Sequence, residues 1–327
     1  MRTTSKPKVA FYWCASCGGC EEAVVDLAEK VLDVVSDVDI VFWPVALDFK
    51  KKDVEDMPDK SIAVSFINGA VRTSEQEEMA KLMRQKSGLL IAFGSCAHLG
   101  GIPGLANLWD RQSIFDWYYS KGPSVAKPDG AVPVTKIKVP EGELELPVIW
   151  DTVKSLNQVV DVDYYIPGCP PTPKLLANAV EDVLSGRMPP KGTVLAGKKA
   201  LCNECRLNIT KPDKLLIKDI KRITEFIPDP QKCYLAQGLI CLGPVTRGGC
   251  EALCINGHMP CSGCFGPLDR TPDPGAKGLS YIASIVDVFD QEAARKAMSK
   301  VADPTGIFYR YSLPTSKLGR KRMRRSS

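Results

Sequence analysis

Thirteen cysteines, most of them in groups, constrain this 327-residue chain more than any other feature. The first group is Cys14-Ala15-Ser16-Cys17-Gly18-Gly19-Cys20, directly after the apolar run 9–13. Cys96 ends the run 89–95, and Cys169 ends the run 164–168. Cys17, Cys20, Cys96 and Cys169 therefore stand just beyond strand-like segments. In an open parallel sheet the C-terminal strand ends meet along one edge, where ligands collect. A further eight cysteines follow between 202 and 264.

The runs 8–13, 40–47, 61–69, 89–93 and 162–166 read as strands. Helices are expected at 21–35, 74–86, 152–159 and 174–185. In the first, Val24, Leu27, Ala28, Val31 and Leu32 recur at helical spacing. Ser74 with Glu77 suggests a capping box, and Thr172-Pro173 suggests an N-cap followed by proline at the first helical position. Uniformly apolar strands alternating with helices predict an α/β fold with a parallel sheet covered on both faces. The Gly- and Pro-rich stretch 186–192 marks a boundary, giving a sheet domain over 1–188 and a second domain over 189–327. In the second, periodicity fades and Gly and Pro abound, so the expectation is an irregular region with short helices and little apolar core, stabilised by metal. A last helical region is expected over 281–300. The basic tail Arg320-Lys321-Arg322-Met323-Arg324-Arg325 reads as a solubilising end or a docking segment.

Clustered cysteine suits metal sites better than disulfides in a reducing compartment. The N-terminus carries no secretory signal pattern and no run reaches transmembrane length, so the expected location is the cytoplasm with no membrane span. Four thiolates at the sheet edge suit one [4Fe–4S] cluster, because soft thiolates select iron–sulfur centres or zinc. Sequential grouping of the remainder gives Cys202, Cys205, Cys233 and Cys241 as one site and Cys250, Cys254, Cys261 and Cys264 as another, each with a C-x2-C pair. Zinc stays open for these two sites, since C-x2-C pairs do not separate the metals, and a zinc-stapled scaffold is the bland alternative. Three clusters in one chain would suit electron conduction. They would also bring the formal charge of +5 to about −1, so the basic balance gives no reason to invoke nucleic acid. Cysteines occupy the edge where flavodoxin-like sheets bind flavin, and no flavin is expected. Cys14 reads as a packed, inert thiol. His98 and His258 lie near cysteines without being needed as ligands.

Ser16 through Glu22, together with Gly94-Ser95-Cys96 and Gly168-Cys169-Pro170-Pro171, resembles the three motifs of [NiFe]-hydrogenase small subunits, a family shared with the small cluster-bearing subunit of respiratory complex I. The resemblance spans nearly the whole chain. It implies a flavodoxin-like domain whose Cys17, Cys20, Cys96 and Cys169 hold a proximal cluster facing the nickel–iron centre of a separate large subunit, with Glu22 placed for proton transfer. It further implies a medial cluster on Cys250, Cys254, Cys261 and Cys264 and a distal one on Cys202, Cys205, Cys233 and Cys241, three [4Fe–4S] clusters in all. Membrane-associated members carry a histidine where Cys202 stands. The all-cysteine pattern is similar instead to the F420-non-reducing, or methyl-viologen-reducing, hydrogenases. For these the implied partners are the large subunit, a small [2Fe–2S] subunit and heterodisulfide reductase. Relay subunits of F420-reducing hydrogenases or of another oxidoreductase complex are the alternatives.

Overall fold

The computed structural model describes residues 6–126 and 130–319. In chain order the first half contains β1 (Lys8–Trp13), α1 (Gly19–Val25), α2 (Lys30–Asp37), β2 (Asp39–Phe42), α3 (Lys51–Glu55), β3 (Ile62–Asn68), β4 (Val71–Thr73), α4 (Ser74–Lys86), β5 (Ser87–Phe93), α5 (Gly94–Leu99) and α6 (Arg111–Asp116). A hairpin of β6 (Lys136–Val139) and β7 (Gly142–Glu145) follows, then β8 (Ile149–Lys154), β9 (Tyr164–Ile166) and α7 (Pro173–Leu184). Among the described residues the second half has α8 (Leu253–Asn256), α9 (Pro274–Ile285), α10 (Gln291–Ser299) and α11 (Pro304–Phe308), set between turns and 3-10 segments.

Five strands form one parallel sheet in the order β2-β1-β3-β5-β9. This is the flavodoxin-like order, as the sequence pattern implied. Alternate residues serve opposite faces. Val9, Phe11, Val64, Phe66, Ile91, Phe93 and Ile166 pack against Val24 and Leu27 of α1 and its continuation and against Leu175, Leu176 and Ala179 of α7. Ala10, Ile67, Leu90 and Ala92 pack against Val54, Met79, Ala80 and Met83 from α3 and α4. Both faces are dry, which explains why these strands read as continuous apolar runs.

Four local expectations change. The helix expected over 21–35 breaks at Ala28, whose φ is +52°, so α2 starts a new phase in which Val31 and Val34 face the core while Leu32 is exposed. The cap of α4 is Thr73, not Ser74. Thr73 Oγ1 accepts from Gln76 N at 3.3 Å, and Gln76 Oε1 accepts from Thr73 N at 3.1 Å, the same reciprocal chemistry one residue earlier. Pro44 lies beyond β2, which is shorter than the apolar run suggested. Of the helix expected over 152–159, only Leu156–Gln158 turns, as a 3-10 segment, and residues 152–154 instead end β8, antiparallel to β4. Asn107 holds Val153 there through both side-chain amide groups, at 2.9 and 2.8 Å. Thr172 does cap α7, with Oγ1 accepting from Leu175 N at 3.3 Å and Pro173 at the first helical position.

The second half departs most from expectation. It buries a full apolar core, including Leu201, Leu207, Ile217, Ile220, Tyr234, Leu235, Leu239, Ile282, Ile285, Phe308 and Leu313. These residues lie far apart in sequence, so no short window shows a period. The halves also share surfaces. Phe265 joins the core of the sheet, and Gln158 donates to the carbonyl of Pro314 at 3.0 Å. The basic tail lies outside the described residues.

Candidate metal centre

The C-terminal ends of β1, β5 and β9 converge as the parallel order requires. Ser95 N donates to Gly168 O at 2.7 Å, tying two of the cysteine-bearing turns together. Cys17 is exposed, Cys20 and Cys96 are buried, and Cys169 is intermediate. Gly18, at φ +86°, lies against the Trp13 ring, where a Cβ would come within 3.1 Å. A Cβ on Gly94, at φ +84°, would overlap Cys20 Sγ, and one on Gly101 would overlap Cys96 Sγ. Glycine thus leaves the space around the sulfurs free of side chain. Burial raises the Cys20 thiol pKa, and the neighbouring Cys96, Cys169 and Cys17 add to the rise. Burial also pushes Cys96 up to about 12, with Cys169 and Cys17 contributing. Burial is the larger cause at both thiols, and the neighbouring sulfurs add a smaller repulsion. A positively charged metal core reverses that repulsion.

The later cysteines gather the same way. Cys264 is pushed up to about 12, first by burial and then by charges on Cys250, Cys254 and Cys169. Cys261 is raised by burial and then by Cys241, Cys264 and Cys250. Cys202 goes up to about 11 through burial, with Cys205 and Cys233 adding to the rise and Lys211 opposing it. Cys241 goes up to about 12 through burial, with Cys202 and Cys233 adding to it. Charge proximity thus links Cys264 with Cys250 and Cys254, and Cys202 with Cys205 and Cys233, while Cys261 faces Cys241 as well as Cys264 and Cys250.

Two hydrogen bonds join these groups in series. Ser95 Oγ, next to Cys96, donates to the carbonyl of Cys264. The backbone N–H of Cys261 donates to Cys241 Sγ at 3.3 Å. Further donors to sulfur are Gly263 N to Cys261 at 3.3 Å and Gly19 N to Cys17 at 3.5 Å. Amides aimed at sulfur suit thiolate ligands and tune their potential. Among the described residues no group of three or more His, Cys, Asp or Glu side chains is arranged as a closed metal site.

Glu22 is exposed on the first turn of α1. Its neighbour Glu21, which the sequence pattern did not single out, is buried and accepts from Trp43 Nε1 and Asn68 Nδ2. Burial raises its pKa while these two donors oppose the rise. Ser16 Oγ donates to Asn68 Oδ1 at 3.0 Å, carrying this network to the turn that bears Cys17. The available signal was Asn68, a polar residue ending an otherwise apolar strand. Cys14 is buried in the apolar cluster of Ala10, Ile67 and Val71, away from the four thiols. His98 packs against the Tyr165 ring, centroids 4.8 Å apart, and desolvation there lowers its pKa to about 3. His258 is exposed at φ +62°.

The family model described as "NADH ubiquinone oxidoreductase, 20 Kd subunit" matches residues 17–183. The chain is 43% identical over 317 residues to an F420-non-reducing hydrogenase iron-sulfur subunit of Archaeoglobus profundus, covering 96% of this chain and 98% of that one. It is 34% identical over 314 residues to an F420-non-reducing hydrogenase vhu subunit of Methanocaldococcus jannaschii, covering 96% and 97%. A solved [NiFeSe] hydrogenase from Desulfovibrio vulgaris shares the fold, with a TM-score of 0.52 at 16% identity over 82% of this chain and 96% of that chain.

Fold, thiol-lined edge and relatives together define the iron–sulfur subunit of a hydrogenase, an electron-relay oxidoreductase component whose nickel–iron site resides on a separate large subunit. Within that class, the chain belongs to the family of F420-non-reducing hydrogenase iron–sulfur subunits.

Proposed function

We propose that this chain conducts electrons from H2 oxidation, which yields two protons and two electrons per H2, to a small [2Fe–2S] subunit and on to heterodisulfide reductase in the cytoplasm, in support of methanogenesis. The proposed ligand sets are Cys17, Cys20, Cys96 and Cys169; Cys250, Cys254, Cys261 and Cys264; and Cys202, Cys205, Cys233 and Cys241. When bound, [4Fe–4S] clusters at these sites supply one-electron storage and transfer, with potentials set by charge, hydrogen bonds to sulfur and exposure. The observation that carries this reading is the pair of hydrogen-bonded joins, Ser95 to Cys264 and Cys261 to Cys241. They support an order in which the sheet-edge group comes first, the 250–264 group second and the 202–241 group third.

This chain's residues hold the sulfurs, exclude side chains from the space between them and aim amides at them. Exposed Cys17 marks the face proposed to meet the large subunit, and exposed Glu22 on α1 is the proposed proton carrier there. The division at 188/189 separates the first site from the other two, with packing across it. Among the described residues no helix is long and apolar enough to cross a membrane, consistent with the proposed location.

The test is a contrast of two variants in the intact complex. Cys205→Ala should spare hydrogen–deuterium exchange at the large subunit and slow reduction of external acceptors. Cys17→Ala should block delivery to any acceptor. Equal loss of exchange in both would overturn the order.

A further inference from the structure

Glu204 lies between Cys202 and Cys205, yet its carboxylate serves the other late group. Both oxygens accept from Gly249 N at 3.0 Å, and Oε1 also accepts from Cys250 N at 3.2 Å. Oε1 stands 3.8 Å from Cys250 Sγ. The seat is shaped for this carboxylate. A Cβ on Gly248 would come within 3.1 Å of the carboxyl carbon, and Gly249 at φ +115° presents its N–H only because the backbone turns through a conformation that favours glycine. The cation beside it, Lys174, is ion-paired with Glu251 at 2.6 Å.

We propose that Glu204 is a positioning residue that locks the Cys202–Cys205 loop to the Cys250 loop and holds the second site at a lower potential than it would otherwise have. The inference rests on the three-site reading above. Two effects act in the same direction. A carboxylate near the sulfur of Cys250 disfavours an added electron. It also takes up the amides of Gly249 and Cys250, which could otherwise turn toward sulfur, and N–H donation to sulfur raises a cluster's potential. Glu204 is exposed at the surface, so solvent screens part of the charge effect, while the hydrogen-bonded join is local.

The experiment is an anaerobic redox titration of the intact complex, followed by electron paramagnetic resonance with iron counted in parallel, on Glu204→Gln and Glu204→Asp. In E204Q the second-site signal should move to a more positive midpoint while the sheet-edge site, to whose cysteines Glu204 makes no hydrogen bond, keeps its own. E204D keeps the charge and should stay nearer to the unsubstituted protein. An iron-replete E204Q with an unmoved second-site midpoint overturns the proposal. Selective iron loss in E204Q that E204D restores supports it, and equal loss in both assigns the effect to loop folding and overturns it. Absence of three clusters from the unsubstituted protein would sink the three-site reading instead.

Discussion

The two halves of the molecule place thiols by different means. In the sheet half, four cysteines sit on turns whose positions follow from hydrogen-bonded parallel strands. Those strands satisfy their backbone groups and bury both faces without any metal. In the second half an apolar core exists too, but its segments meet through isolated bridges such as Ala200 with Arg247, Ile217 with Val286 and Thr246 with Pro267. There the cysteine loops are themselves the connections between segments. Apolar burial alone therefore does not make a region independent of metal. What matters is whether the backbone has a regular ladder to hold the ligands in place.

Stripping iron should produce the largest effect. Ligand binding energy in such sites is folding energy, so hydrogen exchange should accelerate over 200–270 while the amides of β1, β3 and β5 stay protected. Uniform loss, or uniform retention, would break the comparison. Next in size is Gly94→Ala. The strained φ and the overlap with Cys20 Sγ should cost the sheet-edge site its iron, about four atoms per chain, with circular dichroism little changed. Iron retained in full would show that the edge can give way.

Phe265→Ala should destabilise by about 3 kcal/mol. Phe265 is buried among sheet residues, so denaturant melts should show the cost in the transition of the sheet half although the residue belongs to the second. Smallest is Asp163→Asn, at about 2 kcal/mol for weakened charged hydrogen bonds. Burial would raise the Asp163 pKa, but hydrogen bonds from Lys191, Arg84 and Leu90 N hold it below its ordinary value. A carboxylate depressed on folding stabilises fully above the unfolded value and loses that contribution as pH falls through the folded one. Acid melts below the ordinary carboxylate range should therefore be less steep in D163N, and an unchanged slope would remove this pair from the account.

Much of the sheet half was legible. Strands buried on both faces announce themselves as apolar runs, and Thr172-Pro173 marked the start of α7 through local chemistry alone. The errors arose where distant contacts decide. Val153 is held extended by Asn107, which no window around 152–159 contains. Ala28 adopts φ +52°, although alanine favours helix, and α2 beyond it sets Val31 and Val34 against the sheet core. The core of the second half escaped notice because Leu201, Ile282 and Leu313 meet only in space. At the site, the Cys261 amide reaches Cys241 Sγ of the other proposed group, a contact that sequence order does not show. The role of Glu204 and the burial of Glu21 needed coordinates, since a carboxylate beside a cysteine reads as an ordinary surface charge.

The most direct measurement is an anaerobic preparation of the native complex with nickel, iron and zinc counted per mole of this chain, combined with Mössbauer spectra of the iron belonging to it. The account predicts about twelve irons in three [4Fe–4S] sites on this chain, with nickel on the separate large subunit and no zinc. Zinc in the two late sites, or iron sufficient for the sheet-edge site alone, would contradict it.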